Sequence, residues 1–162
     1  MHGEDNMTAR NADLLHRLFT GLSHHDHGEM ASCYHQDAAF RDIAFDLIGK
    51  KQIHAMWHMI SETDIRPTFH VVRADEERGV VKLVDDYTFT STGKPVHNII
   101  VSNFRFQGGR IIDHQDVCDA RAWASMALGG PVGFFAGRFR ILRSFQARRL
   151  LRSFIAKHPE YK

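Results

Sequence analysis

Cysteine is nearly absent from this 162-residue chain, with Cys33 in an expected helix and Cys118 in an expected strand. Two thiols so placed give no disulfide framework, which sets aside the small stapled scaffolds and suits a reducing compartment. Proline is also sparse, at four residues, and no uninterrupted apolar run is long enough to cross a bilayer. The opening MHGEDNMTAR lacks the apolar core of a signal peptide, so the expected location is the cytoplasm. Neither sign of charge dominates. A net charge of +2 is too small to argue for a nucleic-acid partner.

What the chain has in excess is histidine, at twelve residues, but their scatter argues against a single metal cluster. His24, His25 and His27 are expected in a solvated loop, and His54 and His58, one helical turn apart, on a helix rim. The length suits one domain with a real core, and no repeat or low-complexity segment interrupts it.

Residues 1–8 read as loose. Thr8 or Asn11 caps a helix with Leu14, Leu15, Leu18, Phe19 and Leu22 at helical spacing. Asp26 caps a second short helix with Met30, Ala31, Cys33 and Tyr34 inward. A brief strand from Ala38 to Ile43 follows, then a helix over residues 50–61 with Ile53, Met56, Trp57 and Ile60 inward. Strands over 68–74 and 80–90 lead into the stretch PVHNIIVSNFRFQGGRIIDHQDVCDA, Pro95 to Ala120. Helices followed by a run of antiparallel strands is an α+β order.

A three-residue loop, Gln107-Gly108-Gly109, would set Phe104 opposite Ile112, Ser102 opposite His114, Ile100 opposite Asp116 and Asn98 opposite Cys118. A turn centred on Thr92-Gly93 would likewise set Tyr87 by Asn98, Asp85 by Ile100 and Leu83 by Ser102. All of these then share one sheet face, while Ile99, Val101, Val117, and the pair His97 and Asp119, share the other. A one-residue slip would reverse those faces.

VSNFRFQGGRII resembles the penultimate hairpin of ketosteroid isomerases, and IIDHQDVCDA is similar to the Glu-His-Trp-Asp strand of SnoaL-like polyketide cyclases. Both families belong to the nuclear transport factor 2-like superfamily. The resemblance implies a cone-shaped α+β fold over residues 1–128, a curved antiparallel sheet against about three N-terminal helices around a central cavity. Residues 129–162 then form a basic helical extension that the small isomerases lack. By spacing, Asp42 falls where ketosteroid isomerases keep the aspartate that moves a proton beside a carbonyl. Their two oxyanion donors fall on Leu18 and Ser102, which speaks against that mechanism. On the SnoaL-like pattern the acid/base aspartate matches Asp116, Gln115 replaces a tryptophan, and the histidine falls on Ser102.

These residues point to carboxylate acid/base chemistry, of isomerase, cyclase or dehydratase type, on a small apolar carbonyl compound, with no metal and no organic cofactor. Asp42, Asp116 and His114 are the catalytic candidates. Asp85, Tyr87, Asn98, Ser102, Leu18, Phe89, Phe104 and Cys118 are the candidate lining. The competing reading is a ligand-binding or dimeric assembly module of the same fold, with His114 and Asp116 a satisfied buried pair, Asp42 a cap, and Asp85 solvated if Asp86 is the inward one. Apolar residues on the outer sheet face predict a homodimer.

In the extension, the stripe of Phe135, Phe139, Leu142 and Phe145 points away from that of Leu150, Leu151, Phe154 and Ile155. The halves therefore face different partners or are broken near Gln146-Ala147. The expected use is packing on the chain's own domain or on a dimer mate. Membrane surface or nucleic acid is the weaker reading of its arginines.

Overall fold

The computed structural model describes residues 2–131 and 140–162. Leu14, Leu15, Leu18, Phe19 and Leu22 recur at helical spacing in α1 (His2–Ser23), and all five are buried as one stripe. The helix starts well ahead of the expected caps at Thr8 and Asn11. Asn11 is instead fully buried within it, where its side-chain amide donates to the backbone carbonyls of Asp75 (2.8 Å) and Glu76 (3.1 Å).

Asp26 caps α2 (His27–Ser32) as expected, accepting from the Glu29 amide. The helix stops at Cys33, so Tyr34 opens strand β1 (Tyr34–Arg41) rather than closing the helix. β2 (Asp46–Ile48) is a short edge strand that alternation alone is too brief to reveal. The chain continues as α3 (Lys50–Ser61), β3 (Arg66–Ala74), β4 (Arg78–Phe89), β5 (Lys94–Gln107), β6 (Arg110–Cys118), α4 (Ala120–Leu128) and α5 (Arg140–Lys157), ending in a 3-10 turn at Pro159–Tyr161.

The six strands form one sheet in the order β2-β1-β6-β5-β4-β3. Every pairing is antiparallel except β1 with β6, which run parallel with Phe40 beside His114. Register shifts in β1, β3 and β6 bend their strands and increase their twist, which curves the sheet. α1 lies against β3 and β4, and α3 against β1 and β2, so the core fills the concave side.

Two register expectations need correction. The β5–β6 loop is two residues, Gly108 and Gly109 (φ 57° and 70°), so Gln107 pairs with Arg110. A loop one residue shorter would reverse the faces, but a bulge at Ile112 restores the parity. The net displacement is two residues. Ser102 pairs with Asp116, Phe104 with His114 and Ile100 with Cys118, and these side chains keep their predicted face. Between loop and bulge the face does switch, and Ile111, read as outward, is fully buried. The β4–β5 hairpin is also displaced by two, pairing Asp85 with Asn98 and Tyr87 with Val96.

α5 is continuous through Gln146 and Ala147. Leu151 and Tyr161 are buried, and Phe154 and Ile155 pack against the same core, so this end of the chain lies on its own domain over α3. Leu150, assigned to that inward stripe, is exposed instead, as is Phe145. Phe135 and Phe139 lie outside the described residues.

The two-glycine turn supplies a test. Both positions require the left-handed backbone, which costs a residue with a Cβ roughly 1–2 kcal/mol. Gly108→Ala combined with Gly109→Ala is expected to lower stability by about 2–4 kcal/mol, read as a reduced urea midpoint with an unchanged m value.

Candidate functional site

Strand alternation turns Val81, Leu83, Asp85 and Tyr87 of β4, Asn98, Ile100, Ser102 and Phe104 of β5, and His114, Asp116 and Cys118 of β6 to the concave face. Across the sheet they form the rows Val81, Ser102, Asp116 and Leu83, Ile100, Cys118, with Asp85 beside Asn98. Polar groups thus sit among apolar ones on a buried surface.

His114 and Ser102 have no exposed surface, and His114 is the larger of the two. Phe40 meets its ring edge-to-face at 4.8 Å and Phe104 lies against it at 4.3 Å. Both ring nitrogens are nevertheless satisfied. The Trp57 indole can only donate, and does so to the Tyr34 hydroxyl oxygen at 3.1 Å. Burial pushes the Tyr34 phenol well up, so it keeps its proton and donates it to His114 Nδ1 at 2.7 Å. With Nδ1 accepting, the ring proton sits on Nε2, which donates to Asp116 Oδ1 at 2.8 Å. This line fixes the imidazole tautomer and orients the Asp116 carboxylate.

Asp42 follows β1, where the amides of Ala44 (2.7 Å) and Phe45 (2.5 Å) donate to its Oδ1. Burial pushes its carboxyl up to about 6 against those two hydrogen bonds, and the Asp116 charge adds to the rise. Asp85 is pushed further, up to about 7, by burial first and then by the charges of Asp116 and Asp86. Its Oδ1 has no hydrogen-bond partner among the described residues, and neither does the buried Ser102 Oγ. Burial also raises the Tyr87 phenol, up to about 12, while its oxygen accepts from the Trp123 indole at 2.6 Å.

Asp42, Asp85, Asp116, His114 and Tyr87 are thus gathered closely enough for their charges to act on one another. Asn98 and Cys118 are half-buried on the same face. Leu18 is closed inside the core, Phe104 is packed between His114 and Phe19, and Phe89 lies against Trp123. Asp85, not Asp86, is inward. Asp86 instead binds His97 on the outer face at 2.7 Å, so the expected His97–Asp119 pair does not form, and Asp119 caps α4.

Tyr34, Trp57 and Trp123 are the participants that the sequence did not reveal as polar partners. Buried indoles need acceptors, and that requirement is a signal, but nothing local says which tyrosine serves which tryptophan. A cavity of about 340 Å³ is lined by Arg73, Asn103, Phe104, Arg105, Asp113 and Gln115 among others, and by none of Asp42, Asp85 and Asp116. Among the described residues, the group with metal-ligand spacing is His58, His158 and Glu160, at the C-terminal end of the chain.

Residues 15–114 match the family model described as the SnoaL-like domain. No curated protein matches the chain. Among solved structures, a candidate polyketide cyclase from Xanthomonas campestris is 16% identical with a TM-score of 0.65, covering 75% of this chain and 98% of its own. An LEH-like epoxide hydrolase from M. tuberculosis is 15% identical with a TM-score of 0.61, covering 80% of this chain and 97% of its own. An NTF2-like protein from Burkholderia xenovorans is 16% identical with a TM-score of 0.62, covering 74% and 97%. At these identities the likeness is one of fold.

Asp85 makes the electrostatics testable through stability. Its folded value, about 7, lies above the unfolded carboxylate value of about 3.9, so between them the folded state binds the extra proton. That contribution is fully present below about pH 4 and is lost as the pH rises through 7. Asp85→Asn should flatten this decline and be the more stable protein at pH 8, by up to roughly 4 kcal/mol at about 1.36 kcal/mol per unit. Urea denaturation of both proteins at several pH values checks it.

Proposed function

This chain belongs to the SnoaL-like domain family, and on that premise we propose that it is a small-molecule enzyme working by carboxylate acid/base catalysis. The observation that carries the proposal is the convergence of Asp85, raised to about 7, and Asp42, raised to about 6, on the oriented His114–Asp116 pair. Asp116 is the base, removing a proton from a carbon beside a carbonyl or from an attacking hydroxyl. Asp85 is half protonated near neutral pH and returns a proton to the developing enolate or alkoxide oxygen. Asp42 polarises the substrate from the end of β1, and His114 acts as a positioning residue by holding Asp116. Tyr87, Asn98, Ser102 and Cys118 line the site.

The substrate class is a small, largely apolar carbonyl compound or its cyclic ether counterpart, and the reaction an isomerisation, cyclisation or dehydration. The names of two similar structures, a candidate polyketide cyclase and an epoxide hydrolase, support chemistry of this kind. A non-catalytic binding module is the second reading. It is favoured by the complete burial of His114 and Ser102 and by Phe104 packed across the His114 ring.

In this proposal residues 1–128 form the substrate-binding unit, and residues 129–162 clasp α3 through Leu151, Phe154 and Tyr161 rather than reaching for nucleic acid. No described helix is long and apolar enough to cross a membrane. Ile99, Val101 and Val117 leave an apolar strip on the outer sheet face, and a second copy of the chain is its occupant in this proposal.

Two experiments test these readings. Against a panel of small ketones, epoxides and polyketide-like enols, Asp116→Asn is expected to lower kcat/KM by about 100-fold or more with folding retained. The rate should fall above about pH 7 as Asp85 loses its proton. Saturable ligand binding with no turnover of any panel member would select the module. In sedimentation, the wild type should run as a dimer and Ile99→Asp with Val101→Asp as a monomer, and a monomeric wild type would refute the dimer.

A further inference from the structure

The histidines that the catalytic reading leaves unused converge elsewhere. His27 opens α2, His54 and His58 stand one turn apart on α3, and His158 and Glu160 belong to the C-terminal segment closing over α3. His27 Nδ1 lies 2.9 Å from His54 Nε2, the His27 ring stacks on His58 at 3.8 Å, and His158 meets His58 at 4.8 Å. His25, from the same loop, is anchored through Nδ1 to the Ser61 carbonyl at 2.7 Å. Of the three loop imidazoles expected in water, only His24 is exposed, and His25 and His27 are half-buried.

We propose that His58, His158 and Glu160 form a site for a first-row divalent cation, with zinc the best match, which fastens the C-terminal segment to α3. Their ligating atoms lie within 4.8 Å of one another. Zinc with bonds of about 2.0–2.1 Å in a tetrahedron sets its ligand atoms roughly 3.4 Å apart, so each contact needs to close by at most about 1.4 Å. Glu160 is exposed and supplies much of that movement by side-chain rotation. The hydrogen bond of 3.1 Å between Glu160 Oε1 and His158 Nδ1 already brings two of the ligands together.

The surroundings match what a ligating imidazole needs. His58 Nδ1 is 2.9 Å from the Tyr161 hydroxyl, which orients the ring and leaves Nε2 for the metal. Phe154 stacks on His158 at 4.1 Å and holds the second imidazole in place. Two imidazoles and one carboxylate favour zinc, nickel or copper over magnesium or calcium, and a water completes the fourth position.

The site joins elements far apart in the chain, so occupancy has a mechanical readout separate from catalysis. Full-length protein titrated with Zn2+ in a calorimeter should bind one equivalent at roughly micromolar affinity or tighter. Binding should raise the Tm and slow proteolytic cleavage within α5. His158→Ala and Glu160→Gln should each weaken binding at least tenfold, while His24→Ala leaves it unchanged. Glu160→Gln alters an exposed side chain, so its circular dichroism spectrum should match wild type and keep the comparison valid. Binding weaker than about 100 µM, or equal affinity in the His158→Ala, Glu160→Gln double variant, means an adventitious ion only and overturns the proposal.

Discussion

Four side chains, Trp57, Tyr34, His114 and Asp116, hydrogen-bond in sequence and join α3, β1 and β6 through the middle of the molecule. The rest of the concave face depends on this line. A fully buried imidazole is tolerable only when both nitrogens find partners, and here the Tyr34 hydroxyl serves Nδ1 and Asp116 serves Nε2. Removing one member would leave another polar atom buried and unbonded, a cost of roughly 1–3 kcal/mol. The line therefore fixes the direction of the Asp116 carboxylate with an energy comparable to a large part of a domain's net stability.

Around that line the fold accepts electrostatic cost. Asp42 is half-buried and raised, and among the described residues neither the buried Asp85 Oδ1 nor the Ser102 hydroxyl has a hydrogen-bond partner. A sequence selected for stability alone would place apolar residues at such positions. The core compensates with α1, whose leucine stripe is continuous and completely buried, and with aromatic packing about His114. The apolar stripe of α1 lies against β3 and β4, while the costly polar groups are spread over Asp85 of β4, Ser102 of β5 and Asp42 beyond the end of β1.

Much of this was legible in the residues. Period-two alternation assigned Asp85, Asn98, Ser102, His114 and Asp116 to one face, and helical spacing picked out the α1 stripe, because both signals are local. The register was not legible. Loop length and bulge are two separate one-residue choices, and only their sum decides the pairing, so beyond the bulge the faces were right while the partners were wrong by two. Tyr34 was misread because the end of α2 depends on β6 drawing the next residues into the sheet. The convergence of His27 and His58 with His158 was invisible for a similar reason: the partners lie 31 and 100 residues apart, with no pattern between them.

The parallel pairing of β1 with β6 carries a consequence for how the molecule comes into being. β1 lies in the sheet interior, yet the neighbour it needs, residues 111–115, is made some seventy residues later. On a ribosome β1 can pair only with β2 until β6 has emerged, whereas β3, β4 and β5 can zip together earlier as local hairpins and offer α1 its surface. Joining β1 to the rest of the sheet thus waits for its last strand. The aromatic and imidazole groups that finally meet at His114 come together in the last closing movement.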